Sequence, residues 1–244
     1  MRICFFSDIH GNGAAFDAFQ QQMEKENPDK IIFGGDICGY YYDSIAIIKK
    51  LQQSDIICIR GNHDQMFLEC MKETDKIQQQ NMLRRLVERY GSGYQHLFKE
   101  VSEKELQFLQ ALPLKWELET DNQHLGFFHG SPRNPLLDRI YPDTVIEDTS
   151  AFEPYEYVFS GHTHHKLVKQ IGHTVLINPG SAGQQRDGKG TSYVMFDTEK
   201  CLFRIQSFPY DREKVVVQID KYEKDNPIMQ EKLKEVLFRK WKSK

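Results

Sequence analysis

No segment of the 244-residue chain approaches the roughly 20 consecutive apolar residues that span a bilayer, so no membrane span is expected. The opening run Met1-Arg2-Ile3-Cys4-Phe5-Phe6 meets Ser7-Asp8 before it could build a signal-peptide core, and the expected compartment is the cytoplasm. The five cysteines, Cys4, Cys38, Cys58, Cys70 and Cys201, include no C-x-x-C pair, which argues against a zinc ribbon and a disulfide framework alike. There is no excess of positive charge: 32 Lys and Arg against 35 Asp and Glu leave −3, so no global field recruits nucleic acid or acidic membrane. Any anionic substrate must be attracted locally. No repeat, low-complexity tract or Gly/Ser linker marks a boundary, and a single domain over residues 1–244 with an insertion is the simplest reading. With 39% apolar and 27% charged residues, the composition is that of a folded chain and excludes disorder.

Short β-rich runs recur at residues 3–6, 30–33, 56–59, 125–128 and 157–159, the first three separated by helical patterns. Asn12 is a cap candidate for a helix carrying Phe16, Phe19 and Met23; Ser44 is one for a helix carrying Ile47, Ile48 and Leu51. Alternation of strand and helix predicts an α/β fold with a largely parallel sheet. Residues 65–112 break the rhythm, with Leu83, Leu86, Val87 and Tyr90 on one helical face and a capping box at Ser102 and Glu105, and are expected to form a helical insertion. Further β runs at 174–177, 191–196, 201–208 and 214–219 call for a second sheet packed on the first. A final helix over about 228–241 places Met229, Leu233, Val236, Leu237 and Trp241 on one face, expected to dock on the sheet. Its basic end, six Lys or Arg against Glu235 alone over residues 232–244, complements the helix dipole or meets RNA or a membrane surface.

Each of the first five β runs ends in residues that ligate metals: Ser7-Asp8-Ile9-His10, Gly34-Gly35-Asp36, Gly61-Asn62-His63-Asp64, His129-Gly130 and Gly161-His162-Thr163-His164. In open α/β sheets, ligands bind beyond the carboxyl ends of the strands, so five loops bring Asp, Asn and His to one edge. A lone D-x-H or H-x-H means little. Five such clusters in order, several beside glycines that admit close backbone approach, point to a metal centre. Imidazole and oxygen donors without thiolate suit manganese, iron, zinc, cobalt or nickel better than calcium and do not choose among them; manganese is the expected ion.

These motifs, D-x-H, G-D, G-N-H-[DE], H and G-H-x-H, resemble those of the calcineurin-like metallophosphoesterase superfamily and span Asp8 to His164. The stretches at 34–40, 129–133 and 178–183 are similar to a compact bacterial and archaeal subgroup whose members are often labelled as related to diadenosine tetraphosphatases and serine/threonine phosphatases. The resemblance implies a two-sheet mixed β-sandwich flanked by helices (α/β/β/α) and two divalent transition-metal ions per chain. Asp8, His10, Asp36 and His164 would hold the first ion. Asp36, Asn62, His129 and His162 would hold the second, with Asp36 bridging. Two ions bring +4, two aspartates −2 and a shared hydroxide −1, which leaves about +1 to meet a phosphate in an acidic chain. The implied reaction is in-line attack of that hydroxide on phosphorus, with His63 protonating the leaving oxygen and Asp64 orienting His63.

Protein phosphatases and symmetric dinucleoside tetraphosphatases carry G-D-x-x-D-R-G, whereas Gly39, Tyr40 and Tyr41 stand here where Asp, Arg and Gly would be. The arginine clamp is missing at that place. Arg133 and Arg186 are the candidate replacements, against the plainer reading of solvated arginines. Asn62 is a further substrate contact, and Tyr40 and Tyr41 are candidates to stack on a flat group, against ordinary packing. His96, His124, His165 and His173 are read as structural or solvated. The expected substrate is a small phosphodiester, phosphoanhydride or phosphomonoester, nucleotides among them, with self-association left open. Two readings compete: a non-catalytic scaffold on the same fold, like the retromer subunit that resembles these enzymes, and a nuclease of the superfamily, which should show a basic groove and added domains.

Overall fold

The computed structural model describes residues 1–120 and 122–239. Five strands, β1 (Arg2–Phe6), β2 (Lys30–Phe33), β3 (Ile57–Cys58), β9 (Ser192–Asp197) and β10 (Leu202–Ser207), form one sheet in the order β10-β9-β1-β2-β3. A second sheet has the order β4-β5-β6-β8-β7, from β4 (Lys115–Glu119), β5 (His124–Phe128), β6 (Tyr157–Phe159), β7 (Lys166–Ile171) and β8 (Thr174–Pro179). In the first sheet β1-β2-β3 are parallel and run to one edge, with antiparallel β9 and β10 on the other side of β1; in the second the central β5-β6-β8 are parallel, with β4 and β7 antiparallel at the edges. The expected mixed two-sheet architecture is present, but the strands divide differently: the runs at 191–196 and 201–208 extend the first sheet from β1, while those at 125–128 and 157–159 belong to the second.

The alternation of strand side chains explains the layering. Ile3, Phe5, Ile32, Val194 and Phe196 of the first sheet meet Leu125, Phe127, Phe159 and Ile177 of the second. The other face of β1 and β2, Cys4, Phe6 and Phe33, packs against Phe16, Phe19 and Met23 of α1 (Gly13–Glu26) and Ile47, Ile48 and Leu51 of α2 (Ser44–Gln52). Asn12 caps α1 as expected, its side chain accepting the Ala15 N–H at 3.0 Å. Ser44 is not the second cap. Asp43 holds that position, and the Ser44 hydroxyl donates instead to the Ile37 carbonyl.

Between β3 and β4 come four helices, α3 (Asn62–Lys72), α4 (Lys76–Tyr90), α5 (Gly93–Glu100) and α6 (Glu103–Ala111), the last opened by the capping box of Ser102 and Glu105. The run at 214–219 is not a strand. It belongs to α7 (Arg212–Tyr222), because Asp211 caps the Glu213 N–H and burial falls on Val215 and Ile219, four residues apart. Strands β4 and β7 are not among the expected runs, although Lys115-Trp116-Glu117-Leu118-Glu119 alternates polar and apolar residues as a half-buried strand does. The last helix, α8 (Pro227–Leu237), does not dock on a sheet: Met229, Leu233 and Leu237 pack with Val215 and Ile219 of α7 on the buried tyrosines Tyr40, Tyr41 and Tyr42. Trp241, and the basic residues beyond 239, lie outside the described residues. Among the described residues, no helix is long and apolar enough to cross a membrane.

Candidate metal centre

The parallel strands end side by side, and each hands its ligand to a tight turn. Asp8 (φ 61°), His10 (φ 50°), Asp36 (φ 64°), His162 (φ 65°) and His164 (φ 59°) all adopt the left-handed backbone. Outside glycine this conformation is uncommon and costs roughly 1–2 kcal/mol per residue, so strain is concentrated where the ligands are presented. Cross-loop hydrogen bonds hold it: Asp8 N–H donates to Gly35 O (3.0 Å), His10 N–H to Asp36 O (2.9 Å) and His162 N–H to Asp8 Oδ2 (3.1 Å). Gly61 must be glycine for a different reason, close approach: a Cβ there would lie 2.2 Å from the backbone nitrogen and Oδ1 of Asp36. The stretch from Asn178 to Gly183 braces the same loops. Asn178 donates to Gly161 O, the Ser181 hydroxyl to Asp8 O, and Ala182 N–H to Ser7 O.

The ligand atoms of Asp8, His10, Asp36 and His164 lie within 4.8 Å of one another, as do those of Asp36, His129 and His162, and every one of these residues is buried. Asp36 belongs to both groups. His10 Nδ1 lies 2.9 Å from the Cys38 carbonyl, and His164 Nδ1 contacts the Gln184 carbonyl; since a carbonyl oxygen only accepts, both rings carry their proton on Nδ1. Burial, then repulsion from neighbouring cationic groups, holds both histidines below the ordinary range and hence neutral. Their Nε2 lone pairs nonetheless face each other at 3.1 Å, with Asp36 Oδ2 3.4 Å from one and Asp8 Oδ1 3.3 Å from the other. Two imidazole lone pairs and two carboxyl groups converge there, with the Asp36 proton the one available to bridge them in the absence of a cation. Such an arrangement fits a cation, and the backbone carbonyls behind the rings are the usual orienting partners of metal-bound histidine. His129 repeats the pattern. Its Nδ1 bonds Gly34 O at 2.9 Å, and its Nε2 faces Asn62 Oδ1 (2.9 Å), His162 Nδ1 (3.2 Å) and Asp36 Oδ2 (3.4 Å). Burial, with the charges of Asp8 and Asp64 close by, pushes the Asp36 carboxyl well above the carboxylate range, a strain that bound cations would relieve.

Asp64 does not touch the His63 ring. Its carboxylate accepts four backbone N–H groups, from Asp36 (2.9 Å), Ile37 (2.9 Å), Cys38 (3.0 Å) and Gly61 (3.0 Å), and so locks the turn after β2 to the start of α3. The partner of His63 Nδ1 is the Tyr94 hydroxyl at 2.8 Å, delivered by α5 and fully buried. Burial, then the nearby imidazoles, keeps His63 below its ordinary pKa. Sequence reading missed Tyr94, which lies 31 residues from His63 in a helix without motif context.

A cavity of about 340 Å³ opens over the centre, lined by Asp36, Asn62, His63, His162 and His164 at its floor. Tyr40 and Arg186 also line it. The Arg186 guanidinium donates to the Tyr40 hydroxyl (2.8 Å) and Gln184 Oε1 (3.1 Å). Two expected substrate residues do not line it. Tyr41 is fully buried among α7 and α8 side chains, and Arg133 is paired through two nitrogens with Asp138 and lies over the Phe152 ring. Arg139 stands there instead, its Nε 2.9 Å from His162 Nε2; an acceptor there leaves the ring proton on Nδ1, so His162 can ligate through Nδ1 only once this bond is given up. Of the remaining histidines, His96 packs on Tyr222 and His165 on Tyr141.

The model of the calcineurin-like phosphoesterase superfamily domain matches residues 1–201. The chain belongs to that superfamily. An uncharacterized protein of Methanocaldococcus jannaschii is 29% identical over 239 residues, covering 90% of this chain and 92% of its own length. Two solved structures share the fold across nearly the whole of both chains: a metallophosphoesterase from Sphaerobacter thermophilus (TM-score 0.72, 23% identity, 98% and 99% coverage) and a hypothetical protein from Pyrococcus horikoshii (TM-score 0.74, 20% identity, 99% and 99%). Superfamily membership accounts for a buried Asp/His centre able to hold metal at the strand ends, and α8, which lies beyond the matched residues, supplies part of the cavity wall.

Proposed function

We propose that the chain is a dinuclear metal-dependent hydrolase acting on a small phosphodiester or phosphoanhydride. The observation that carries this reading is the pair of ligand groups joined at Asp36, with the unprotonated Nε2 atoms of His10 and His164 turned toward each other. Asp8, His10, Asp36 and His164 are the ligands of one ion; Asp36, Asn62, His129 and His162 are those of the other. Two such ions supply an activated water nucleophile and neutralise charge on the phosphoryl group.

The remaining work falls to side chains. Asp64 and the 178–183 loop keep the ligand turns in shape, so that the phosphoryl group enters a rigid frame. Arg186 and Arg139 flank the floor of the cavity and meet the non-bridging oxygens, replacing the clamp absent beside Asp36. His63 lines the cavity with its Nδ1 against the Tyr94 oxygen; as the imidazolium it gives its Nε2 proton to the leaving oxygen and returns to the neutral form that burial favours. The test is a panel of aryl phosphomonoester, aryl phosphodiester, dinucleoside polyphosphate and single-stranded DNA with manganese-loaded protein, alongside elemental analysis. Two ions per chain and turnover of diester or anhydride support the proposal; at most one ion, or no turnover of any substrate, refutes it.

A further inference from the structure

The cavity has an outer ring as well as a floor. Besides Arg139 and Arg186, it is lined by Arg89 at the end of α4, Lys232 in α8 and Arg239 just after it. Five cations therefore face one carboxylate, Asp36, which is already committed to the metal ligands, in a chain whose net charge is −3. Their partners are unusual. Arg2, Arg133 and Arg204 each pair with a carboxylate, whereas Arg186 bonds a tyrosine hydroxyl and a glutamine oxygen, Arg139 an imidazole, and Lys232 the Arg89 carbonyl at 2.8 Å. Arg239 has one carboxylate in reach, the exposed Glu235 at 3.6 Å, a contact of little weight in water. Among the described residues, the charges of Arg89, Arg139, Arg186 and Lys232 have no acidic partner within 4.0 Å.

The placement is not accidental to the fold. The buried Met229, Leu233 and Leu237 seat α8 on the tyrosine cluster, and this turns Lys232 and Val236 of the same helix toward the cavity. Like charges gathered at one mouth repel unless an anion joins them. Two of the five suffice to flank the phosphoryl group at the floor. We infer that Arg89, Lys232 and Arg239 form a second anion subsite, and that the substrate carries at least one further phosphate beyond the scissile one, as a polyphosphate chain does. This assignment deepens the hydrolase proposal and rests on it for the position of the scissile group. The small volume of the cavity favours a compact polyphosphorylated molecule over a nucleic-acid strand. Tyr90 and Tyr141 in its wall offer faces for a base attached to that chain.

The experiment compares wild type with the double variant K232A/R239A, both side chains being exposed. With manganese-loaded full-length protein, KM is measured for diadenosine tetraphosphate and for bis(4-nitrophenyl) phosphate, which bears a single charge. The double substitution should raise the ratio of the two KM values by about tenfold, and salt should raise KM for the tetraphosphate more steeply in wild type than in the variant. An unchanged ratio overturns the subsite. A ratio unchanged for the tetraphosphate but raised for single-stranded DNA overturns the small-molecule assignment and favours a nuclease. Equilibrium dialysis of labelled diadenosine tetraphosphate against metal-free protein reads the subsite without turnover. Weaker binding by the variant upholds the subsite even if the hydrolase proposal fails, and equal binding overturns it even if hydrolysis is seen.

Discussion

The Tyr94 hydroxyl sits 2.8 Å from Nδ1 of His63, joining the helical insertion to the edge of the metal centre. The ring proposed to protonate the leaving group is thus held from behind by a neutral phenol and not by a carboxylate. Burial raises the Tyr94 pKa well above its ordinary value, so the phenol stays protonated across the working range of pH.

His63→Ala should lower kcat on poor leaving groups by about 10²- to 10⁴-fold, the range of a general acid, while metal content stays near wild type. Tyr94→Phe should cost about tenfold on the same substrates and less with a nitrophenyl leaving group, which hardly needs a proton. Added to His63→Ala, it should cost nothing more. A further loss in the double variant would show that Tyr94 acts other than through His63.

Asp64→Ala should harm stability before chemistry. It strips the partner from four buried N–H groups, each worth about 1–3 kcal/mol when orphaned, and incoming water offsets part of that. Chemical denaturation of metal-free protein should reveal a loss of at least about 3 kcal/mol. A variant as stable as wild type but inactive would return Asp64 to the part of orienting His63.

Asp36→Asn should weaken both metal sites together, since Asp36 belongs to both ligand groups. Elemental analysis at manganese saturation should find fewer than one ion per chain. Loss of a single ion with the other retained would mean that Asp36 serves one site only.

The metal-free protein should be acid-sensitive. Burial, reinforced by neighbouring cations, holds His10, His63 and His164 below the usual histidine range and brings His162 to about 2. A pKa lowered on folding means that the unfolded chain binds more protons in mild acid. The stability these groups contribute is complete above their unfolded value of about 6.5 and is lost as pH falls below it. In chelator, the thermal midpoint should drop between about pH 7 and about pH 5, and a flat profile would contradict the neutral imidazoles inferred here.

The ligand motifs were legible because each lies within a few residues of the strand that aims it: β1 carries Asp8 and His10, β2 Asp36, and β6 His162 and His164. Local order in sequence is local order in space there. Tyr94 and Arg139 have no such tie. Helix packing brings one to His63, and the other follows β5 in a stretch without periodicity. The Val215-Val216-Val217 run suggested a strand through its β-branched side chains, but the Asp211 cap and the four-residue spacing of Val215 and Ile219 prevailed. For α8 the apolar face could be read, whereas its landing site, the tyrosine loop after β2, is a matter of tertiary packing.

The left-handed turns beneath the ligands govern how any substitution among them should be interpreted. An alanine at Asp8 or Asp36 removes a donor and also forces an ill-suited residue into the same backbone, so a dead enzyme would not distinguish lost coordination from a relaxed loop. Asparagine tolerates that backbone through its short polar side chain, which makes Asp→Asn the exchange that alters charge and leaves the turn in place. For the three histidine positions with positive φ the same logic favours asparagine over alanine or any β-branched residue as the replacement.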